Sequence, residues 1–170
     1  MHGEGNKVLA EEIWIRLSEL RDAGDLMEID ARVWNEANTP GTLADKTKEQ
    51  YLQQSPPGSQ LVAEIGGRAA GYIGFAHPTG LESNRHVYEI NIAIHPDYQR
   101  MGIGRKLMAA MKEKAKADGV RKLSLRVLGT NQAAKAFYEQ CGFRVQGVLP
   151  EEFWLGGRFV DDILMWCPVN

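Results

Sequence analysis

Apolar and polar residues alternate through "IWIRLSEL", which predicts a first strand over 13–20. The period then changes. Leu26, Ile29, Val33 and Ala37 recur at helical spacing, predicting a helix over 22–37, and a second short helix is expected over 43–54, closed by "SPPG". "QLVAEI" and "RAAGYIGFA" flank Gly66-Gly67, the pattern of a tight hairpin. "HVYEINIAI" (86–94) reads as a further strand, ended by His95-Pro96. Beyond it Ile103, Leu107, Met111 and Ala115 fall every four residues, predicting a long helix that stops at Gly119. "KLSLRVL" then predicts a strand, "NQAAKAFYEQCG" a helix, and "FRVQGVL" and "GGRFVDDILMW" two closing strands. Strands and helices alternate in the middle of the chain, and strands pair locally at its ends. The expected fold is therefore α/β, a mixed sheet with helices around one core, in a single domain over 1–170.

Composition narrows the function classes. Of 170 residues 44% are apolar and 25% charged, as in ordinary globular proteins, and the net charge of −2 argues against a nucleic-acid partner. The start, "MHGEGNKVLAEEIWIRL", lacks the basic segment and apolar stretch of a signal peptide, and no apolar run reaches 18 residues, so no membrane span is expected. Cys141 and Cys167 stand apart from any CxxC pair, which suits free thiols in a reducing cytoplasm. His2, His77, His86 and His95 have no metal-ligand spacing, and no metal is expected.

One stretch carries chemistry. "QRMGIG" (99–104) lies between a strand and the long helix, where free backbone N–H groups and the helix dipole favour an anion. Gly102 and Gly104 have no side chain to hold a phosphate away from those N–H groups, while Arg100, Arg105 and Lys106 oppose the dipole unless an anion is bound. The spacing is neither GxxxxGK[ST] nor GxGxxG, so the loop alone is equally a basic turn. Downstream, Asn131, Ala134 and Tyr138 share one helix face, with Ala133, Ala136, Phe137 and Cys141 expected on the face toward the sheet. Taken singly, Asn131 fits a helix N-cap and Tyr138 a half-buried aromatic.

Taken together, "EINIAIHPDYQRMGIGRKLM" followed by "NQAAKAFYEQCGF" closely resembles the GNAT superfamily of acetyl-CoA-dependent N-acetyltransferases. The family pattern [QR]xxGx[GA] is matched by Gln99, Gly102 and Gly104, and NxxAxxxYxxxGF by Asn131, Ala134, Tyr138, Gly142 and Phe143. The resemblance spans 88–147 and implies a GNAT-like, mostly antiparallel central sheet with helices on both faces. It implies acetyl-CoA as co-substrate and a primary amine, on a small molecule or a protein, as acceptor. The coenzyme A pyrophosphate would rest on Gln99, Arg100, Met101, Gly102, Ile103, Gly104 and Arg105. The backbone of Ile92, Ala93 and Ile94 would bind the pantetheine arm, and Asn131, Ala134, Lys135 and Tyr138 would complete the cofactor site.

The chemistry has two proton problems. Freeing an alkylammonium at pH 7 costs about 4–5 kcal/mol, and the leaving thiolate needs a proton. By resemblance attack is direct, in a ternary complex. Tyr138 is then the general acid and Cys141 a packing residue. Strand alternation puts Val87, Glu89, Asn91 and Ala93 on one face, so Glu89 is a carboxylate in a mostly apolar strand, where desolvation would suit a base, acting directly or through a held water. A structural Glu89, edge-exposed or salt-bridged, fits the sequence as well. One departure stands out: family members that acetylate protein N-termini often carry Glu five residues before the motif Asn, and this chain has Arg126. Glu151, Glu152, Asp161 and Asp162 read either as a solvated acidic loop or as a lure for a cationic substrate. A non-catalytic acyl-CoA sensor and a nucleotide-phosphate binder are the competing readings. Dimerisation is common in the family, but no sequence signature here marks a homodimer.

Overall fold

The computed structural model describes residues 12–41 and 43–170. The amino-terminal segment discussed above therefore lies largely outside the described residues. Seven strands form one sheet in the order β1-β2-β3-β4-β5-β7-β6, with β1 Ile13–Leu17, β2 Gln60–Ile65, β3 Arg68–Ala76, β4 Val87–Ile94, β5 Lys122–Leu128, β6 Arg144–Leu155 and β7 Arg158–Pro168. Every neighbouring pair is antiparallel except β4 and β5, which run parallel. Among the described residues four α-helices accompany them: α1 Ala23–Val33, α2 Lys48–Gln54, α3 Ile103–Ala117 and α4 Gln132–Gln140.

Helices cover both faces. On one, Leu107, Met111 and Ala115 of α3, all fully buried, pack with Ile73, Leu123 and Met165 of the sheet, together with Tyr138 and Phe143. On the other, Leu26 and Ile29 of α1 and Tyr51 of α2 pack on Val62, Tyr72 and Ala93. The four-residue spacing in α3 is thus a buried stripe. Both Gly-Gly turns take left-handed φ values, 56° and 79° at Gly66 and Gly67, 58° and 79° at Gly156 and Gly157, as tight hairpins require.

Several boundaries differ from the pattern. β1 stops at Leu17 because Asp22 accepts the Glu19 N–H and starts a turn over Leu20–Asp22. α1 stops at Val33, short of Ala37: Asn38 donates to the Val33 carbonyl and Asn35 accepts from the N–H groups of Ala37 and Asn38, giving the chain a local alternative to helix. α2 begins only at Lys48, where Thr47 and Gln50 form a reciprocal cap. β6 runs past Pro150 to Leu155 through an irregularity between Leu149 and Phe153, with Glu151 at φ 50°. In α4 the buried face is Ala134, Phe137, Tyr138 and Cys141, while Ala133 and Ala136 are exposed. The expected division of that helix is corrected: Tyr138 and Phe137 sit side by side, 5.6 Å between ring centres.

Candidate active site

The parallel ladder between β4 and β5 is short. It joins Val87 to Lys122, Tyr88 to Leu123 and Glu89 to Ser124, and then the strands part. From Ile90 to Ile94, β4 stays paired to β3 on its other side, leaving the edge that faces β5 without a ladder partner. N–H and C=O groups on that edge are open to a ligand that runs alongside it. A cavity of about 690 Å³ occupies the opening, lined by Ile92, Ala93 and Ile94 from β4, Arg126, Val127 and Leu128 from β5, and Asn131, Ala134, Phe137 and Tyr138 around α4. Gln99 and Gly104 close its α3 end, and Trp34 and Thr39 its α1 end. The cavity therefore passes between the two faces of the sheet.

At the α3 end the backbone leaves N–H groups free at a helix start, a geometry that suits an anion. Arg100 and Gly102 both take left-handed conformations, φ 65° and 76°, and the first helical bond runs from the Lys106 N–H to the Gly102 carbonyl. The N–H groups of Ile103, Gly104 and Arg105 precede that bond and have no helical acceptor. Left-handed backbone at a non-glycine such as Arg100 costs about 1–2 kcal/mol, and such strain concentrates at functional sites. The two glycines differ in purpose. A Cβ on Gly102 would enter open space, so its φ is what demands glycine; a Cβ on Gly104 would come within 3.1 Å of Phe137 Cζ. Gly104 thus lets α3 and α4 approach. His95 anchors the turn ahead of the loop: buried, its Nδ1 accepts from the Asp97 N–H at 3.1 Å.

Asn131 caps α4, its side-chain oxygen accepting from Ala134 N–H at 3.1 Å, and it also lines the cavity. Tyr138 is 8% exposed, between Phe137 and Phe143, and its hydroxyl has no hydrogen-bond partner among the described residues. Burial pushes its phenol up to about 12. Cys141 follows on the same face, its thiol also raised by burial, which suits packing better than nucleophilic attack. Arg100 and Met101 are exposed, Ile103 is buried in the core, Arg105 donates to Gln140 at 3.1 Å, and Lys135 pairs with Glu139 at 3.4 Å. None of these five side chains lines the cavity, so of them Ile103 and Arg105 face the anion end through their N–H groups.

Glu89 is exposed, contrary to the expected desolvation, because Asn91, Ser124 and Arg126 share its face. It lines an adjoining cavity of about 480 Å³ with Asp30, Tyr72 and Asn91. Trp34 and Thr39 border both cavities. Trp34 is held at the end of α1 by Asp30, whose Oδ1 accepts from Trp34 Nε1 at 3.2 Å and from the Tyr72 hydroxyl at 2.5 Å. Trp34, Thr39, Phe153 and Asp162 line the cavity, and the sequence motifs did not indicate them. Asp162, expected in an acidic loop, is 1% exposed. Strand alternation sends only one of the pair Asp161-Asp162 into the cleft, and only the register of β7 says which.

With this arrangement in view, the Acetyltransferase (GNAT) family model matches residues 24–143. The chain belongs to the GNAT acetyltransferase family. It is an acetyl-CoA-dependent N-acetyltransferase, as the sequence motifs implied. L-amino acid N-acyltransferase MnaT of Escherichia coli K12 is 27% identical over 155 residues, 86% of this chain and 88% of MnaT. The crystal structure of smu.2055 from Streptococcus mutans UA159 superposes with a TM-score of 0.84 at 29% identity, over 92% of this chain and 99% of that one. A GNAT superfamily phosphinothricin acetyltransferase from Sinorhizobium meliloti, solved in complex with AcCoA, shares the fold with a TM-score of 0.81 at 23% identity, over 93% of this chain and 89% of that one.

The residues present fit coenzyme A on their own chemistry. An N–H-lined helix start suits a diphosphate, an unpaired strand edge suits the amide-bearing arm, and the Tyr138 side chain, its hydroxyl unpartnered among the described residues, lines the same cavity. Among the described residues no three His, Cys, Asp or Glu side chains form a metal cluster, and no helix is long and apolar enough to cross a membrane.

Proposed function

We propose that this enzyme acetylates the primary amine of a small molecule by direct attack, with Tyr138 as general acid and Glu89 as a base acting through water. The observation that carries the reading is the opening between β4 and β5, which joins the 99–105 loop to the Tyr138 hydroxyl. Acetyl-CoA enters from the α3/α4 face, its diphosphate on the N–H groups of 103–105 and its arm along the free edge of Ile92–Ile94. The amine enters from the α1/α2 face. Tyr138, protonated across the physiological range, gives its proton to the leaving thiolate. Glu89 lies in the neighbouring cavity, so its contact with the ammonium runs through solvent bordered by Trp34 and Thr39.

Relatives such as MnaT, named for amino-acid substrates, support a small acceptor. So does Arg126, which stands where acetylases of protein N-termini often carry Glu. Two free cysteines support a cytoplasmic setting, and the −2 net charge supports no nucleic-acid partner. One sheet with both clusters packed on it supports a single domain. Exposed Val145, Val148 and Leu149 on the edge strand β6 support pairing with a second copy. The test is thiol release from acetyl-CoA across amino acids, polyamines, aminoglycosides and peptides. Turnover confined to small amines is expected. Turnover on peptide N-termini alone would overturn the acceptor class.

A further inference from the structure

The amine side of the opening contains an ion pair that the reaction described above does not use. Arg126 on β5 and Asp162 on β7 belong to adjacent antiparallel strands, with Arg126 opposite Leu164 and Leu128 opposite Asp162. They are therefore diagonal neighbours on one face, the face of Glu89. Arg126 Nη1 lies 3.2 Å from Asp162 Oδ2, and both residues line the cavity that contains Tyr138. Yet Asp162 Oδ2, buried, accepts no hydrogen bond among the described residues: the guanidinium is close, but no N–H is aimed at the oxygen. A buried carboxylate oxygen without a donor is costly, and its best remedy is a donor arriving from the cavity. Arg126 is 54% exposed on its side chain and makes no other ion pair among the described residues, so most of its five N–H groups are available.

We propose that Arg126 and Asp162 together receive an acceptor that carries an acidic group beside its amine, as a free α-amino acid does. Arg126 binds the carboxylate and the vacant oxygen of Asp162 binds the ammonium. This rests on the acetyl-transfer reading above. The chemistry excludes the simpler alternatives. A plain alkylamine or polyamine brings no anion to the N–H groups that Arg126 has left over from Asp162, and a peptide N-terminus, whose neighbour is a neutral amide, brings none either. Two opposite charges about 3 Å apart, the Arg126–Asp162 spacing, match a molecule whose own opposite charges are separated by one carbon. Phe153 and Trp34 supply apolar walls beside them for the rest of the acceptor.

The experiment compares kcat/KM for the common L-amino acids with their primary amides, at saturating acetyl-CoA and corrected to equal free-amine concentration. Thiol release is the readout. An amino acid should be preferred over its own amide by about tenfold or more, as a charge-assisted bond to Arg provides. Arg126→Gln should bring that ratio to within about threefold by raising KM for the amino acid, with acetyl-CoA affinity unchanged; a lower melting temperature is expected as well, because buried Asp162 loses its ion-pair partner. Asp162→Asn should raise KM for amino acid and amide alike. If that variant does not fold, Arg126→Gln alone decides. A parent enzyme that does not prefer the carboxylate, or a preference that survives Arg126→Gln, overturns the proposal while leaving acetyl transfer intact. Thiol release from no amine at all, including simple alkylamines, overturns both.

Discussion

In the proposed reaction the Tyr138 hydroxyl is the smallest unit on which the chemistry turns. The ring is buried, the hydroxyl is unpartnered among the described residues, and the surroundings hold it in the protonated state. Tyr138→Phe removes that proton and little else, because the ring packs on Phe137 and Phe143 either way. kcat should fall by about 10²–10⁴-fold while acetyl-CoA affinity stays within a few-fold. A purely structural tyrosine would instead show near-normal turnover and a stability loss of about 1 kcal/mol or less. Because its folded value is about 12, deprotonation of Tyr138 should cause no alkaline loss of kcat/KM up to pH ~10.5. A fall centred near pH 10 that disappears in the phenylalanine variant would contradict that environment. Glu89 predicts a different signature. Glu89→Gln should slow turnover most at neutral pH and least at alkaline pH, where free amine is already abundant; a pH–rate profile of unchanged shape would remove Glu89 from the reaction.

At the scale of elements, the loop and the helix after it act as one device, since α3 and α4 meet at Gly104. A valine there would strike the Phe137 ring and press on the helix that carries Tyr138. Gly104→Val should weaken acetyl-CoA binding by about tenfold or more and lower the melting temperature modestly. Calorimetric titration giving the parent affinity would break the link between loop and site. The corner joining β1 to α1 offers a stability test. Both oxygens of Asp22 accept from Arg16, at 2.7 and 2.8 Å, and this holds the Asp22 carboxyl below the usual carboxylate range. A depressed folded pKa contributes stability that is present above the unfolded value of about 3.9 and is lost as pH falls through the folded one. Asp22→Asn should therefore cost about 1.5–3 kcal/mol at pH 7, with the gap narrowing as pH falls below the unfolded value of about 3.9 in denaturant titrations. These elements were largely legible in the chain. The stripe Ile103, Leu107, Met111 and Ala115 and the Gly-Gly turns announce themselves through period and punctuation. Ends set by side-chain bonds did not: the asparagines that stop α1 and the Thr47 cap compete with helix in ways that hydrophobic spacing cannot register.

The whole molecule adds what no segment contains, the parting of β4 and β5. Motif spacing indicated the donor side, because Gln99, Gly102, Gly104, Asn131 and Tyr138 lie in two nearby stretches. The amine side is assembled from α1, β5, β6 and β7, so Trp34, Arg126, Phe153 and Asp162 meet only once the sheet is ordered. Of the two readings the sequence allows for Glu89, desolvated or exposed, the structure has the exposed one for the same reason: its strand is apolar, but its face is not. The central claim is that acetyl-CoA occupies this opening, and hydrogen–deuterium exchange with and without saturating acetyl-CoA tests it most directly. Exchange should slow in the peptides covering Ile90–Ile94 and 99–105, where strand-edge and helix-start N–H groups have no backbone acceptor among the described residues. Under equal saturation ADP should slow only the 99–105 peptide. Protection that leaves both peptides unchanged, or slowing of Ile90–Ile94 by ADP to the same degree, would contradict the account.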